Sequence, residues 1–143
     1  MAITSAICNS FKTEILTGTH NFTASSGDTF NLALYTSSAS LGASTTAYTT
    51  SNEVSGSGYT AKGNALTSVT PTLDSSTAVC DFADTSFTSA SFTARGCLIF
   101  NDSATGDPAV CAIDFGSDKT VTSGTFTIQF PTADASNAII RIA

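Results

Sequence analysis

Charge is scarce in this 143-residue chain. Asp, Glu, Lys and Arg make up 11% of it, against about 25% in an average soluble protein. Only five residues are basic, and they are scattered: Lys12, Lys62, Arg95, Lys119 and Arg141. Such a set cannot track a phosphate backbone, which argues against nucleic acid as a partner. The net charge of −6 argues equally against an anionic membrane surface. Tryptophan is missing, and there is one histidine, His20. No apolar run approaches the length of a membrane-spanning helix, about 18 residues. Residues 1–11 have no basic flank and no continuous apolar stretch, so no signal peptide is expected.

Hydroxyls fill the gap left by charge. The chain holds 21 Ser and 25 Thr, close to a third of its residues. It is not a disordered tract, because 41% of it is apolar. Val, Ile, Leu, Met, Phe and Tyr number 35, including ten Phe and nine Ile. At roughly 2 kcal/mol each, their burial supplies tens of kcal/mol against ordering entropy. That supports one domain over 1–143, the size of a single core.

Cys8, Cys80, Cys97 and Cys111 form no Cys-x-x-Cys pair and have no zinc spacing. Without a leader, reduced thiols buried as small hydrophobes are expected. Cys97 and Cys111 fall on two arms of one expected hairpin, so they are flagged as possible cross-strand neighbours. Asn21-Phe22-Thr23 and Asn101-Asp102-Ser103 match the glycosylation pattern but carry no weight without secretion.

The periodicity changes near residue 18. Ile3, Ile7, Phe11 and Ile15 recur every four residues, Ser5 is a possible cap and Gly18 a stop. This predicts a helix over about 4–17, with a stripe that packs on its own sheet or on a neighbouring subunit. From about residue 28 the period is two. Phe30, Leu32 and Leu34 alternate with Asn31, Ala33 and Tyr35. Ala65 to Thr70 reads as a weak strand. Ala78, Cys80 and Phe82 alternate as well, and Phe87 and Phe92 mark short β-prone pieces. Gly96 to Phe100 is an apolar run of strand length, expected to be central and buried on both faces. Val110 to Phe115 follows across a polar, Gly- and Pro-containing hairpin loop. Phe126, Ile128 and Phe130 alternate again, and residues 138–143 read as a last strand. The expected fold is all-β: an antiparallel β-sandwich, Ig-like or jelly-roll-like, over about 28–143. It has seven or eight short strands and one N-terminal α-helix. Segment 37–64 is rich in Ser, Thr, Gly and Ala and reads as a long connection that is functional or touches a partner.

Chemistry is thin. No Gly-x-Ser-x-Gly elbow surrounds a serine. Asp81 with Asp84, and Asp114 with Asp118, are the nearest carboxylate pairs. Asp84, Asp102, Asp107 and Asp118 sit beside turn-forming residues and read better as turn formers. Asn101, Asp102 and Asp107 share a loop with hard oxygen donors, but the spacing is not that of an EF-hand. Ser55-Gly56-Ser57-Gly58 lacks the Lys-Ser/Thr ending of a phosphate loop. No catalytic residue, cofactor or metal is assigned.

Three stretches carry a resemblance. They are Ala6–Lys12 with Gly18–Phe22, then Leu32–Ala39 with Ala47–Tyr59, and Asp114–Asp118 through Phe130–Asp134. Together they resemble a family of small proteins encoded in the structural modules of tailed bacteriophages, over nearly the whole chain. The resemblance implies a place, the virion, after synthesis in the host bacterial cytoplasm. It carries no catalytic residues. The leading expectation is a non-enzymatic capsid decoration or cement protein on the head exterior. It would be a homo-oligomer bound to the major capsid protein or other virion proteins. The alternatives are a tail, neck or fibre-associated subunit, and a carbohydrate-binding module that contacts the host surface. Ile3, Ile7, Phe11, Leu41, Tyr48 and Tyr59 are the candidate subunit contacts.

Overall fold

The computed structural model describes residues 2–143. It shows an antiparallel all-β sandwich with one short helix. In chain order the elements are β1 (Ala6–Ile7), α1 (Asn9–Leu16), β2 (Phe30–Tyr35), β3 (Asn64–Ala65), β4 (Ser68–Asp74), β5 (Thr77–Phe82), β6 (Thr85–Asn101), β7 (Ala109–Ile128) and β8 (Ile140–Ile142). One sheet has the order β1-β7-β6-β2-β3, the other β4-β5-β8.

The N-terminal helix is shorter than its sequence predicts. Ala6 and Ile7 pair with Ala112 and Cys111 of β7, and Ile3 bridges Leu41. Only Asn9–Leu16 is helical, with Cys8 at its N-cap in place of Ser5. The reason lies in the spacing. A recurrence of four keeps residues on one face of a helix, but it also fits the period of two of a strand. Ile7 uses the second option in β1, while Ile3 stands in an isolated bridge to Leu41 and packs on the other side of the sheet, against Gly96. Gly18 ends the helix as expected, with φ +76°. Its N–H reaches the Ile15 carbonyl, and the Thr19 N–H reaches the Glu14 carbonyl. That is the left-handed closing turn in which glycine carries no Cβ penalty.

The strands expected at Phe87, Phe92 and Gly96–Phe100 are one strand, β6, of 17 residues. Those expected at Val110–Phe115 and Phe126–Phe130 likewise merge into β7, of 20 residues. Register shifts near Ala90, Phe92, Ala94 and Ile99 let such long strands bend and twist. Residues 96–101 are fully enclosed between β2 and β7.

Both faces of this central sheet are apolar, so both need cover. On one face Phe30, Leu32, Leu34, Cys97, Ile99 and Cys111 alternate across the strands. Phe11 of α1, Phe22, and Phe82 and Cys80 of the small sheet belong to that same core. Phe22 stacks on Phe30 at 4.2 Å, and Phe82 lies 5.9 Å from Phe30. On the other face sit Tyr35, Leu98 and Phe100. Here segment 36–63 lies over the sheet as a strap. Tyr48 stacks on Phe100 at 4.8 Å, and the Val54 N–H donates to the Leu34 carbonyl at 2.9 Å. Ile3 joins this side because Gly96 has no side chain: a Cβ there would stand 2.8 Å from Ile3 Cδ1.

The thiols lie inside. Cys97 pairs opposite Ile113 and Cys111 opposite Ile99, so they are diagonal neighbours, and all four cysteines are free and buried. Burial pushes the Cys97 and Cys80 thiols up to about 12. Burial, then the Glu14 carboxylate, pushes Cys8 up to about 11. Because the thiolate is the reacting form, none of the four should react with Ellman's reagent in the native protein, and all four should react in urea. A native thiol that titrates at the denatured rate would contradict this packing.

Gly63 tests the strap. Its φ is +66°, and a Cβ there would collide with the Leu32 carbonyl oxygen. Gly63→Ala should therefore cost at least about 2 kcal/mol in urea unfolding.

Candidate functional site

Only two charged residues, Glu53 and Lys62, occur between positions 37 and 64. Glu53 turns toward two tyrosines, and Lys62 reaches, part-exposed, to the 102–108 loop. Tyr48 Oη donates to Glu53 Oε2 at 2.6 Å, and Tyr59 Oη donates to Glu53 Oε1 at 2.7 Å. The Lys62 N–H adds a third bond to Oε1 at 2.8 Å. Tyr59 Oη also accepts the Leu34 N–H at 2.9 Å, which ties the strap to β2. Burial, then the hydrogen bond to Glu53, pushes the Tyr48 phenol up to about 12. The same causes in the same order raise Tyr59 further. These hydroxyls remain protonated donors through the physiological range.

Lys62 continues the chain of contacts. Its Nζ lies 2.7 Å from Asp102 Oδ1 and 2.9 Å from Asp107 Oδ2, and 5.6 Å from the centre of the Tyr48 ring. The loop that offered oxygen ligands for calcium thus binds the chain's own ammonium group. Asn101, the third donor of that loop, is fully buried and turned elsewhere. Its Oδ1 accepts the Ser103 and Ala104 N–H groups at 2.9 and 3.1 Å. Its Nδ2 donates to Asp28 Oδ2 at 2.8 Å and to His20 Nδ1 at 3.1 Å. The histidine proton then lies on Nε2, which donates to Glu14 Oε1 at 3.2 Å. His20 is buried against Phe11, 4.9 Å away, with both ring nitrogens occupied. A general base needs a free nitrogen within reach of a substrate, and this ring offers none. Among the described residues no group of three or more His, Cys, Asp or Glu is placed to hold a metal ion.

Of the flagged carboxylates, Asp81, Asp84 and Asp114 are also engaged in holding the chain. Arg95 Nε donates to Asp114 Oδ1 at 2.9 Å, and the guanidinium holds that carboxyl below the usual range. Asp84 Oδ1 accepts the Phe130 N–H at 2.7 Å. Asp81 is buried on β5 and its Oδ1 accepts the Phe82 N–H at 2.9 Å. Burial raises its pKa, and the Phe82 and Ile139 amides offset that in part.

The six expected subunit contacts fare unequally. Ile3, Phe11 and Leu41 are buried in the chain's own core. Tyr48 and Tyr59 are partly buried, and their hydroxyls bind Glu53. Ile7 is partly buried and lines a groove of about 590 Å³ between α1 and β8, with Leu16, Ile139 and Ile142. A second apolar groove of about 560 Å³ lies along β7 between Phe115, Phe126 and Phe130.

Sequence reasoning overlooked Glu53 and Lys62. The available signal was their isolation: two opposite charges in an otherwise uncharged stretch flanked by tyrosines.

No family model, curated protein or solved structure matches the chain.

Two measurements test these assignments. Glu53→Ala leaves two phenols and an amide short of an acceptor, at about 3 kcal/mol. Glu53→Gln keeps an oxygen acceptor and should cost about half as much. Urea unfolding followed by tyrosine fluorescence, clean because there is no tryptophan, reads both; equal costs would deny the carboxylate its role. For Asp81 the folded pKa is above the ordinary value of 3.8. The unfolded chain therefore loses this proton first. The stability from this group is full below 3.8 and is lost as pH rises through the folded value. Asp81→Asn should gain stability relative to the parent as pH is raised from below 3.8 to neutrality. A difference that stays flat with pH would mean that Asp81 is not perturbed.

Proposed function

We propose that this chain is a non-enzymatic structural protein of a bacteriophage virion, a decoration or cement protein on the head exterior. The observation that carries the reading is where the scarce charges go. Glu53, Lys62, Asp102, Asp107, Arg95 and Asp114 hold one another or the backbone, and His20 is enclosed between Glu14 and Asn101. What remains outside is a hydroxyl-rich, weakly charged surface. On such a surface charges are few and far apart, so close contacts between copies can form without placing like charges opposite each other. The surface also offers few basic sites to trypsin-like proteases. Small interfaces repeated by symmetry then supply the strength of a shell through avidity.

The resemblance of Leu32–Ala39, Ala47–Tyr59 and the other matching stretches to phage structural-module proteins supports the same reading. The carbohydrate-binding alternative has less support. Sugar sites stack open aromatic faces against solvent, whereas Tyr35 is fully buried and Tyr48 and Tyr59 brace the strap through Glu53.

Mass spectrometry of purified particles tests the proposal. We expect the protein in intact virions at a copy number comparable with that of the major capsid protein, on tail-less heads as well as complete particles. Absence from particles would overturn it. Presence only in tails, at the copy number of a ring or fibre, would move the protein to the neck or tail.

A further inference from the structure

Exposed large apolar side chains are few in this protein, and they are not scattered. Among the described residues they are Leu16, Val69, Leu73 and Ile142, exposed by 87, 43, 72 and 55%. Val69 and Leu73 lie on β4 and Ile142 on β8. Leu16 ends α1 and lines the groove beside β8 together with Ile142. β4 and β8 are the two outer strands of the three-stranded sheet, so each keeps one unpaired row of backbone N–H and C=O groups. Leu73 and Ile142 both pair with Ala78 of β5, which sets them level on one face. Pro71 and a register shift interrupt β4 before Thr72, and a proline cannot donate to a ladder. The regular part of the β4 edge is then Thr72–Asp74, the same length as β8, which has 3 residues.

Charge decides what these edges can meet. Lys12 and Arg141 line the groove, and no acidic side chain does. Lys12 bonds Asn9 Oδ1, and Arg141 donates to the Ala135 and Ser136 carbonyls. β8 paired antiparallel with β8 of a second copy would set Arg141 opposite Arg141, a repelling pair. The β4 edge carries Asp74 instead, whose Oδ2 accepts the Ala135 N–H at 2.7 Å within the same copy.

We propose that copies of this chain associate head to tail, with β8 and the groove beside it receiving the β4 edge of the next copy. Both strands run antiparallel to β5, so they run parallel to each other, and the joint is a parallel one. Level stacking places Ile142 beside Leu73 of the next copy, with Leu16 closing over them. Arg141 then stands diagonal to Asp74 of the next copy on the opposite face, within reach of a long side chain. Each copy still presents one unused edge of each kind. Repetition with a rotation therefore closes a ring, and without closure it gives a filament. The joint is short, so it forms best where copies are concentrated, as on a surface that binds many of them. The inference stands apart from the virion assignment: a monomeric chain found in particles would remove this proposal and leave that one.

Sedimentation velocity of the full chain over a range of concentrations tests it. Wild type should form oligomers that grow with concentration. Leu73→Asp destroys one edge and Ile142→Asp the other, so each variant alone should be monomeric. Mixed together, they should form one heterodimer and nothing larger, because one intact edge of each kind remains. Circular dichroism checks folding, and Leu73→Ser and Ile142→Ser replace any aspartate variant that fails to fold. A wild type that stays monomeric overturns the proposal. So does a Leu73→Asp variant that still dimerises, or a mixture with no heterodimer, since either result means a symmetric contact. A wild type that remains monomeric but binds an added acidic peptide assigns the groove to another partner and overturns it as well.

Discussion

A strand enclosed on both faces needs two covers, and most of this architecture follows from that requirement. β2 and residues 96–101 of β6 are buried on both faces. An antiparallel sheet ordinarily keeps one side wet. Here the second sheet and α1 close one side. The other side has no third sheet to close it, so an irregular segment does the work. An irregular cover must satisfy its own backbone groups while shielding apolar atoms. It does so by borrowing hydrogen bonds from β2 and from the loop after β6: the Val54 N–H donates to the Leu34 carbonyl and the Tyr48 N–H to the Asp107 carbonyl.

Charge placement is the second consequence. An exposed ion pair contributes little, while a pair that fixes the geometry of a cover acts through everything beneath it. Glu53, bonded to two phenols, acts in the second way, while the Lys62 contacts with Asp102 and Asp107 are part-exposed. The two residues hold the strap at two points, one against the tyrosines and one against Asp102 and Asp107.

Much of the β architecture was legible in the residues. The alternation at Phe30–Tyr35 and Thr77–Phe82 matches β2 and β5, and the continuous run at Gly96–Phe100 matches the doubly buried part of β6. Three things were not legible, each for a physical reason. A spacing of four serves helix and strand alike, so Ile3 and Ile7 were assigned to a helix that begins at Asn9. Bulged strands lose their alternation at every shift, so β6 and β7 looked like several short pieces. The strap has almost no periodicity because it follows no ladder, and its packing rests on Tyr48, Tyr59 and Val54 meeting partners far away in sequence. For the same reason the polar contacts of Glu53 and His20 were invisible: each joins segments whose proximity only the fold creates.

The loop at 102–108 gathers more of these distant segments than any hairpin tip needs. Lys62 reaches it from the strap, Thr29 accepts the Asp102 N–H, and Ser103 receives the Thr29 N–H. A hairpin tip is ordinarily where a chain absorbs insertions without penalty. This one is a junction, and lengthening it would loosen the strap and the entry to β2 at once.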